Sequence, residues 1–159
     1  MMAVLQSANE AFLANAPVKV TKSVELPVSP DVVWRELTGD NALKWVGLKV
    51  VWGPQRTGVG ATRQAGPPVG PAATETFFVW EEGKRKAFYI EKLPLPVPGL
   101  KVFAEDYVIT PTETGARFEW TFALEGSGPM GNPKFAGKVL DGVLATAMKR
   151  TSKHFAKLA

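Results

Sequence analysis

KFAGKVLDGVLATAMKRTSKHFAKL, residues Lys134 to Leu158, decides the fold. At about 100° per residue, Leu140, Val143, Leu144, Ala147, Thr151, Phe155 and Leu158 share one face, and Lys138, Lys149, Lys153 and Lys157 fall opposite. A long amphipathic helix therefore closes the chain. Its apolar stripe needs a surface to cover, and the residues before it must supply one.

They read as strands. Val18, Val20, Val24 and Leu26 alternate with Lys19, Thr21, Ser23 and Glu25, the pattern of a half-buried strand. Pro27 ends it. Ser29-Pro30-Asp31 then offers an N-cap, a first-turn proline and a first-turn acid, predicting a helix from Pro30 to about Thr38 that buries Val33, Trp34 and Leu37. Gly39 stops it, and Asp40 is expected to cap a second short helix through Trp45. Strands are predicted at Leu48–Trp52, Val59–Gln64, Thr74–Trp80, Arg85–Lys92, Val102–Thr110 and Ala116–Glu125. Loops separate them at Gly66–Ala73 and at the proline-rich Leu93–Leu100, and Gly126–Pro133 leads into the closing helix. The order implies an α+β fold: a curved antiparallel sheet of about six to seven strands gripping a long C-terminal helix, with two short helices after the first strand. Residues 1–17 form an N-terminal helix or arm, and residues 18–159 a single domain.

A chain of 159 residues suits one domain and supports a full core. It contains no cysteine, which excludes disulfides, thiolate nucleophiles and iron–sulfur clusters. With one histidine besides, no metal site and no cofactor is expected. Met1 to Ala16 lacks a basic n-region and carries Glu10, so it does not read as a signal peptide, and no run is long enough for a membrane span. A cytoplasmic location is the expectation, with the chain a monomer or homodimer. The net charge is +4, and the closing helix holds Lys134, Lys138, Lys149, Arg150, Lys153 and Lys157 against Asp141. The ordinary reading is a solvated helix face; peripheral contact with an anionic membrane is the functional one. No nucleic-acid partner is expected, since the arginine and aromatic pattern of an RNA-binding sheet is absent.

Several local signatures, in this order and spacing, resemble the START-related, polyketide cyclase-like superfamily, also called the helix-grip or Bet-v-1-like fold. They are Val28-Ser-Pro-Asp-Val-Val-Trp34, Trp45, Gly58-Val-Gly-Ala-Thr-Arg63, Glu75-Thr-Phe-Phe-Val-Trp80 and Thr110-Pro-Thr-Glu-Thr-Gly-Ala-Arg117-Phe-Glu-Trp120, all ahead of the long helix. Within it the chain looks most like the bacterial polyketide cyclase/dehydrase-type single-domain proteins. The resemblance implies a hydrophobic ligand held between sheet and helix. It carries over no shared catalytic motif, since only a minority of relatives are enzymes.

The candidate lining follows from strand parity and helix face. Phe118, Trp120 and Phe122 share a strand face that should look inward, as do Phe103 and Tyr107 on the strand before. Phe77, Trp45 and the helix residues Leu140, Leu144, Ala147 and Met148 complete the apolar set. Glu105 shares the Phe103–Tyr107 face. It is either a carboxyl in an apolar surround with its pKa raised, or, the more ordinary case and the expectation here, a strand-end carboxylate reaching solvent or a lysine. Glu75, Arg85 and Tyr89 are candidates to converge as an ion pair with a hydroxyl donor that binds a ligand; a surface cross-strand pair explains them equally. His154 flanks the apolar stripe and reads as a boundary residue rather than a base. Leu95, Val97, Leu100, Met130 and Phe135 are expected to rim the pocket mouth.

Three functions fit. The first is binding, and with it transport, of a hydrophobic or amphipathic small molecule such as a lipid or polyketide. The second is a cyclase or dehydratase using Glu105, Glu75 or Tyr89 as acid and base. The third is a protein-interaction module, for which a filled core without a cavity would speak.

Overall fold

The computed structural model describes residues 2–159. A seven-strand path carries the fold: β2 (Val18–Leu26), β8 (Gly115–Gly126), β7 (Leu100–Thr112), β6 (Arg85–Leu93), β5 (Ala73–Glu81), β4 (Thr62–Gly66) and β3 (Lys49–Trp52), each antiparallel to its neighbour. An eighth strand, β1 (Ala3–Val4), pairs with the end of β6. The backbone of Leu5 donates to Glu91 and that of Gln6 to Lys101, so the arm bridges β6 and β7 where they part. The helix α1 (Glu10–Asn15) follows, capped by the Asn9 side chain accepting from the Phe12 amide at 2.9 Å. Its Leu13 is buried on the outer face of the sheet against Val79, Ala87, Ala104 and Ala123.

The inner face carries the main core. The helix α2 (Pro30–Thr38) starts on the Ser29 cap and buries Val33, Trp34 and Leu37, as its sequence predicts. The short helix expected after Asp40 is instead a single 3-10 turn, Lys44–Val46, preceded by Leu43 in the left-handed region at φ 60°. Asp40 does not cap it; its carboxylate pairs with Arg56 at 2.9 Å. Leu43 accepts this backbone cost because its side chain is buried in the core.

The closing helix α3 (Pro133–Ala156) begins where Asn132 accepts from the amides of Lys134 and Phe135, with Pro133 in the first turn. Ala136, Leu140, Leu144, Ala147, Met148, Thr151 and Phe155 are buried. At roughly 1.5–3 kcal/mol per large apolar side chain, that stripe is what holds the helix down. α3 packs chiefly along β2, with few contacts to β8, and Lys22–Asp141 fastens the two at 2.9 Å. The centre of the sheet is thus left uncovered by the helix. Val143, placed on the apolar stripe by the wheel, is half exposed for this reason: it overhangs that gap. Among the described residues no helix is long and apolar enough to cross a membrane.

Candidate functional site

Under the overhang lies a cavity of about 680 Å³. Its floor is the inner face of the sheet, with Glu75 (β5), Phe88 (β6), Glu105 (β7), Trp120 and Phe122 (β8). Leu43, Val46 and Leu48 form one wall; Val139, Gly142, Val143, Thr146 and Ala147 of α3 form the other. Lys138 and Arg150 stand at its edges.

Strand register sets the floor. Glu105 lies opposite Phe88 on one side and Phe122 on the other, and Tyr107 lies between Lys86 and Trp120. Arg63 is directly opposite Glu75. Arg63 Nε donates to Glu75 Oε1 at 2.7 Å and its Nη2 donates to the Tyr107 hydroxyl at 3.1 Å. The guanidinium is also within 5.3 Å of the Trp52, Phe77 and Phe88 ring centres. This aromatic surround offsets part of the cost of leaving Arg63 Nη1 buried without a partner. Glu105 Oε1 accepts from the Trp120 indole at 2.8 Å, and the carboxyl lines the cavity.

These contacts set the charges. Burial works against the Arg63 charge, yet Glu75 and Tyr107 hold its proton more firmly than usual. Burial raises Glu75 above the usual carboxylate range while Arg63 pulls it back. Glu105 is pushed up to about 8 by burial and by the neighbouring Glu75, with the Trp120 indole and Arg63 opposing. The floor is therefore a buried arginine–glutamate pair beside the Glu105 carboxyl, which can hold its proton near neutral pH and donate a hydrogen bond. The expectation of a solvent-reaching Glu105 is corrected: what exposure it keeps is to the cavity.

The trio Glu75, Arg85 and Tyr89 does not form. A bulge between Phe77 and Val79 turns both Phe78 and Val79 to the outer face while Phe77 and Trp80 stay inside. On β6, Lys86 and Phe88 point inward, so Arg85 and Tyr89 point out. Arg85 binds Asp106 through Nε and Nη2 and Glu10 of α1 through Nη1; Tyr89 packs with Phe78. Arg63, the real partner of Glu75, carried a usable signal in its alternation with Ala61 and Ala65 at interior positions.

Of the other expected lining residues, Trp120, Phe122 and Ala147 face the cavity. Phe77, Tyr107 and Phe118 are packed into the core beneath it, and Phe103 leans on Phe122 at 5.6 Å. Leu140, Leu144 and Met148 belong to the buried stripe of α3. Trp45 lies outside the cavity, stacked on His154 at 4.3 Å and donating to Thr151. None of the five expected rim residues lines the mouth; Leu100 and Met130 pack on the core, and the flank of α3 takes that place. Among the described residues no cluster of three His, Asp or Glu side chains is set to hold a metal.

Residues 17–158 match the family model described as polyketide cyclase / dehydrase and lipid transport. Solved structures share the fold. A protein from Mesorhizobium loti is 17% identical with a TM-score of 0.69, covering 89% of this chain and 98% of its own. A START superfamily protein from Mycobacterium smegmatis is 11% identical with a TM-score of 0.68, covering 89% and 99%. A Nitrosomonas europaea protein is 18% identical with a TM-score of 0.64, covering 91% and 98%. No curated protein matches.

Proposed function

This chain belongs to the polyketide cyclase / dehydrase and lipid transport family, and on that premise we propose that it binds a hydrophobic or amphipathic small molecule between its sheet and α3. One observation carries the reading: a cavity of about 680 Å³, mostly apolar, with a few polar groups gathered on its floor. Small-molecule sites combine those two features, the apolar wall supplying affinity and the polar groups orientation. A cavity also speaks against an interaction module with a filled core. A lipid or a polyketide-like chain fits this description, and the basic flank of α3 gives such a protein a means of meeting an anionic membrane. We place it in the cytoplasm, as a monomer or homodimer.

The test is native mass spectrometry of freshly purified protein, followed by denaturing organic extraction. A reproducible mass excess that extracts as an apolar compound supports binding and gives the ligand class. Protein that stays free of ligand even after incubation with fatty acids, fatty alcohols and aromatic polyketides contradicts it.

A second reading rests on Glu105. A carboxyl that keeps its proton to about pH 8 is a proton donor at neutral pH, and Glu105 and the Arg63-paired Glu75 both face the cavity. That suits a cyclase or dehydratase, with Glu105 giving a proton to a carbonyl oxygen and Glu75 accepting one. Turnover lost in Glu105→Gln with binding retained would favour it over simple binding.

A further inference from the structure

A second hollow, of about 550 Å³, lies beside the first at the C-terminal end of α3. Four cations border it: Lys44 from the 3-10 turn and Arg150, Lys153 and Lys157 from one face of α3. None of the four has a carboxylate partner among the described residues, and what sets them apart from the other unpaired lysines is that they gather around one hollow. The one carboxylate in the hollow, Glu36, is engaged by His154 Nε2 at 2.9 Å. The stacked Trp45–His154 pair forms one wall, with the Trp45 indole donating to Thr151 and His154 Nε2 engaged with Glu36.

Like charges three and four residues apart weaken a helix, so their concentration needs a reason. Attraction to the helix C-terminus explains basic residues in the last turn. It does not explain Arg150, nearly two turns from the end, nor Lys44 on another element. Arg150 is also the hinge between the two hollows. It borders both, and its Nη1 donates to the carbonyl of Val46, a wall residue of the large cavity.

Resting on the binding reading above, we propose that this cleft holds the phosphate head of an amphiphile whose apolar chain occupies the large cavity. The ligand class is thus narrowed to phosphorylated apolar chains. A doubly charged phosphomonoester answers four cations better than a carboxylate, and the Arg150 guanidinium can fork two of its oxygens. Four of the eight lining residues are cations, so the cleft recognises charge first, with the Asn41 amide as a neutral donor beside them.

The test is displacement of an uncharged fluorescent dye from the cavity by dodecyl phosphate, dodecanol and inorganic phosphate. Wild type is compared with the double variant Lys153→Ala/Lys157→Ala, both surface changes, and the fold is checked by thermal melting. Dodecyl phosphate should bind about tenfold or more tighter than dodecanol, and the gap should close as salt is raised. In the double variant the gap should shrink to within about threefold while dodecanol binding is unchanged. Equal affinity of the two dodecyl compounds for wild type would overturn the head site and leave cavity binding standing. An advantage undiminished in the double variant, which has lost half of the cleft's positive charge, would overturn it too, moving the head to Lys138 or elsewhere. If inorganic phosphate binds, by calorimetry, as tightly as dodecyl phosphate, the source is free phosphate and the amphiphile is excluded. Dye displaced by neither dodecyl compound would remove the cavity reading and this inference together.

Discussion

The inner face of the sheet has two halves, and each buries an ionisable group. Under α2, Lys86 Nζ donates to the carbonyl of Leu37 at 3.1 Å and to Thr38 Oγ1 at 2.9 Å, and it lies within 4.8 Å of the Trp34 and Trp80 ring centres. The indoles are themselves tied down: Trp34 and Trp80 donate to Glu82, and Trp52 donates to the Gly39 carbonyl. Under the flank of α3, Glu105 has the Trp120 indole and the cavity. A polar group whose partners are all local is part of the fold. One left half-satisfied against a cavity is available to a ligand. The difference comes from how each helix sits. α2 lies over the sheet and is sealed by three tryptophans, while α3 rides on β2 and leaves the middle open.

The contrast breaks most readily at the sealed half. Trp34→Ala should cost about 3–5 kcal/mol in chemical denaturation, because it opens a large void and uncovers Lys86. Ligand binding at the far half should survive it wherever the protein remains folded. If instead Trp34→Ala removes binding from folded protein, the two halves are one site and the division fails.

The open half should respond the other way. Ala147 faces the cavity from α3, and Ala147→Trp fills it. Binding of an apolar probe should fall by more than tenfold, with a stability change of about 1–3 kcal/mol at most from overpacking. Binding that persists with the fold intact would place the ligand elsewhere.

The two buried groups should also draw opposite pH profiles. Glu105 is raised to about 8 from an ordinary 4.5, so the folded state binds its proton more tightly. Its contribution to stability is fully present below about pH 4.5 and is lost as pH rises through 8. Lys86 is pulled down to about 6 from 10.5 by burial and by Arg63, with Glu82 opposing. Its contribution is present above about pH 10.5 and is lost as pH falls through 6. Between 6 and 8 the two offset each other. Glu105→Gln should flatten the fall in stability between about pH 4.5 and 6, and Lys86→Met the rise between about 8 and 10.5, each at most about 1.4 kcal/mol per pH unit. Urea titrations across pH check both, and profiles that do not respond to these variants would show that neither group carries the shift.

Much of this architecture is legible in residue order. The Ser29-Pro30-Asp31 start and the alternation of Val18–Leu26 survive as read, and so does the closing helix except that it ends at Ala156 with Val143 and Leu158 of its expected apolar face exposed; what survives depends on local chemistry. The site is less legible, and the reasons are specific. Parity counting fails across the Phe77–Val79 bulge, where one extra residue moves Val79 to the outer face. Arg63 is the key partner of Glu75, but they become neighbours only through β4–β5 pairing across a proline-rich loop. A helical wheel puts Val143 in the core, and only the sideways seat of α3 over β2 makes it the lip of a cavity instead.

The smallest effect separates fold from site within α3 itself. Gly137 and Gly142 both sit in the helix interior, and a Cβ added at either meets nothing within 4 Å beyond its chain neighbours and the helix's own backbone. Each Gly→Ala change should stabilise the protein by about 0.5–1 kcal/mol, through helix propensity alone. Only Gly142 lines the cavity, so only there does the new methyl stand where a ligand would pass. Gly142→Ala should therefore trade stability for slower or weaker ligand uptake, and Gly137→Ala should gain the same stability with uptake unchanged. Melting curves and stopped-flow dye binding on the two variants make the comparison. Equal uptake in both would mean that the ligand does not enter past α3, leaving Gly142 as only a weak point in a helix.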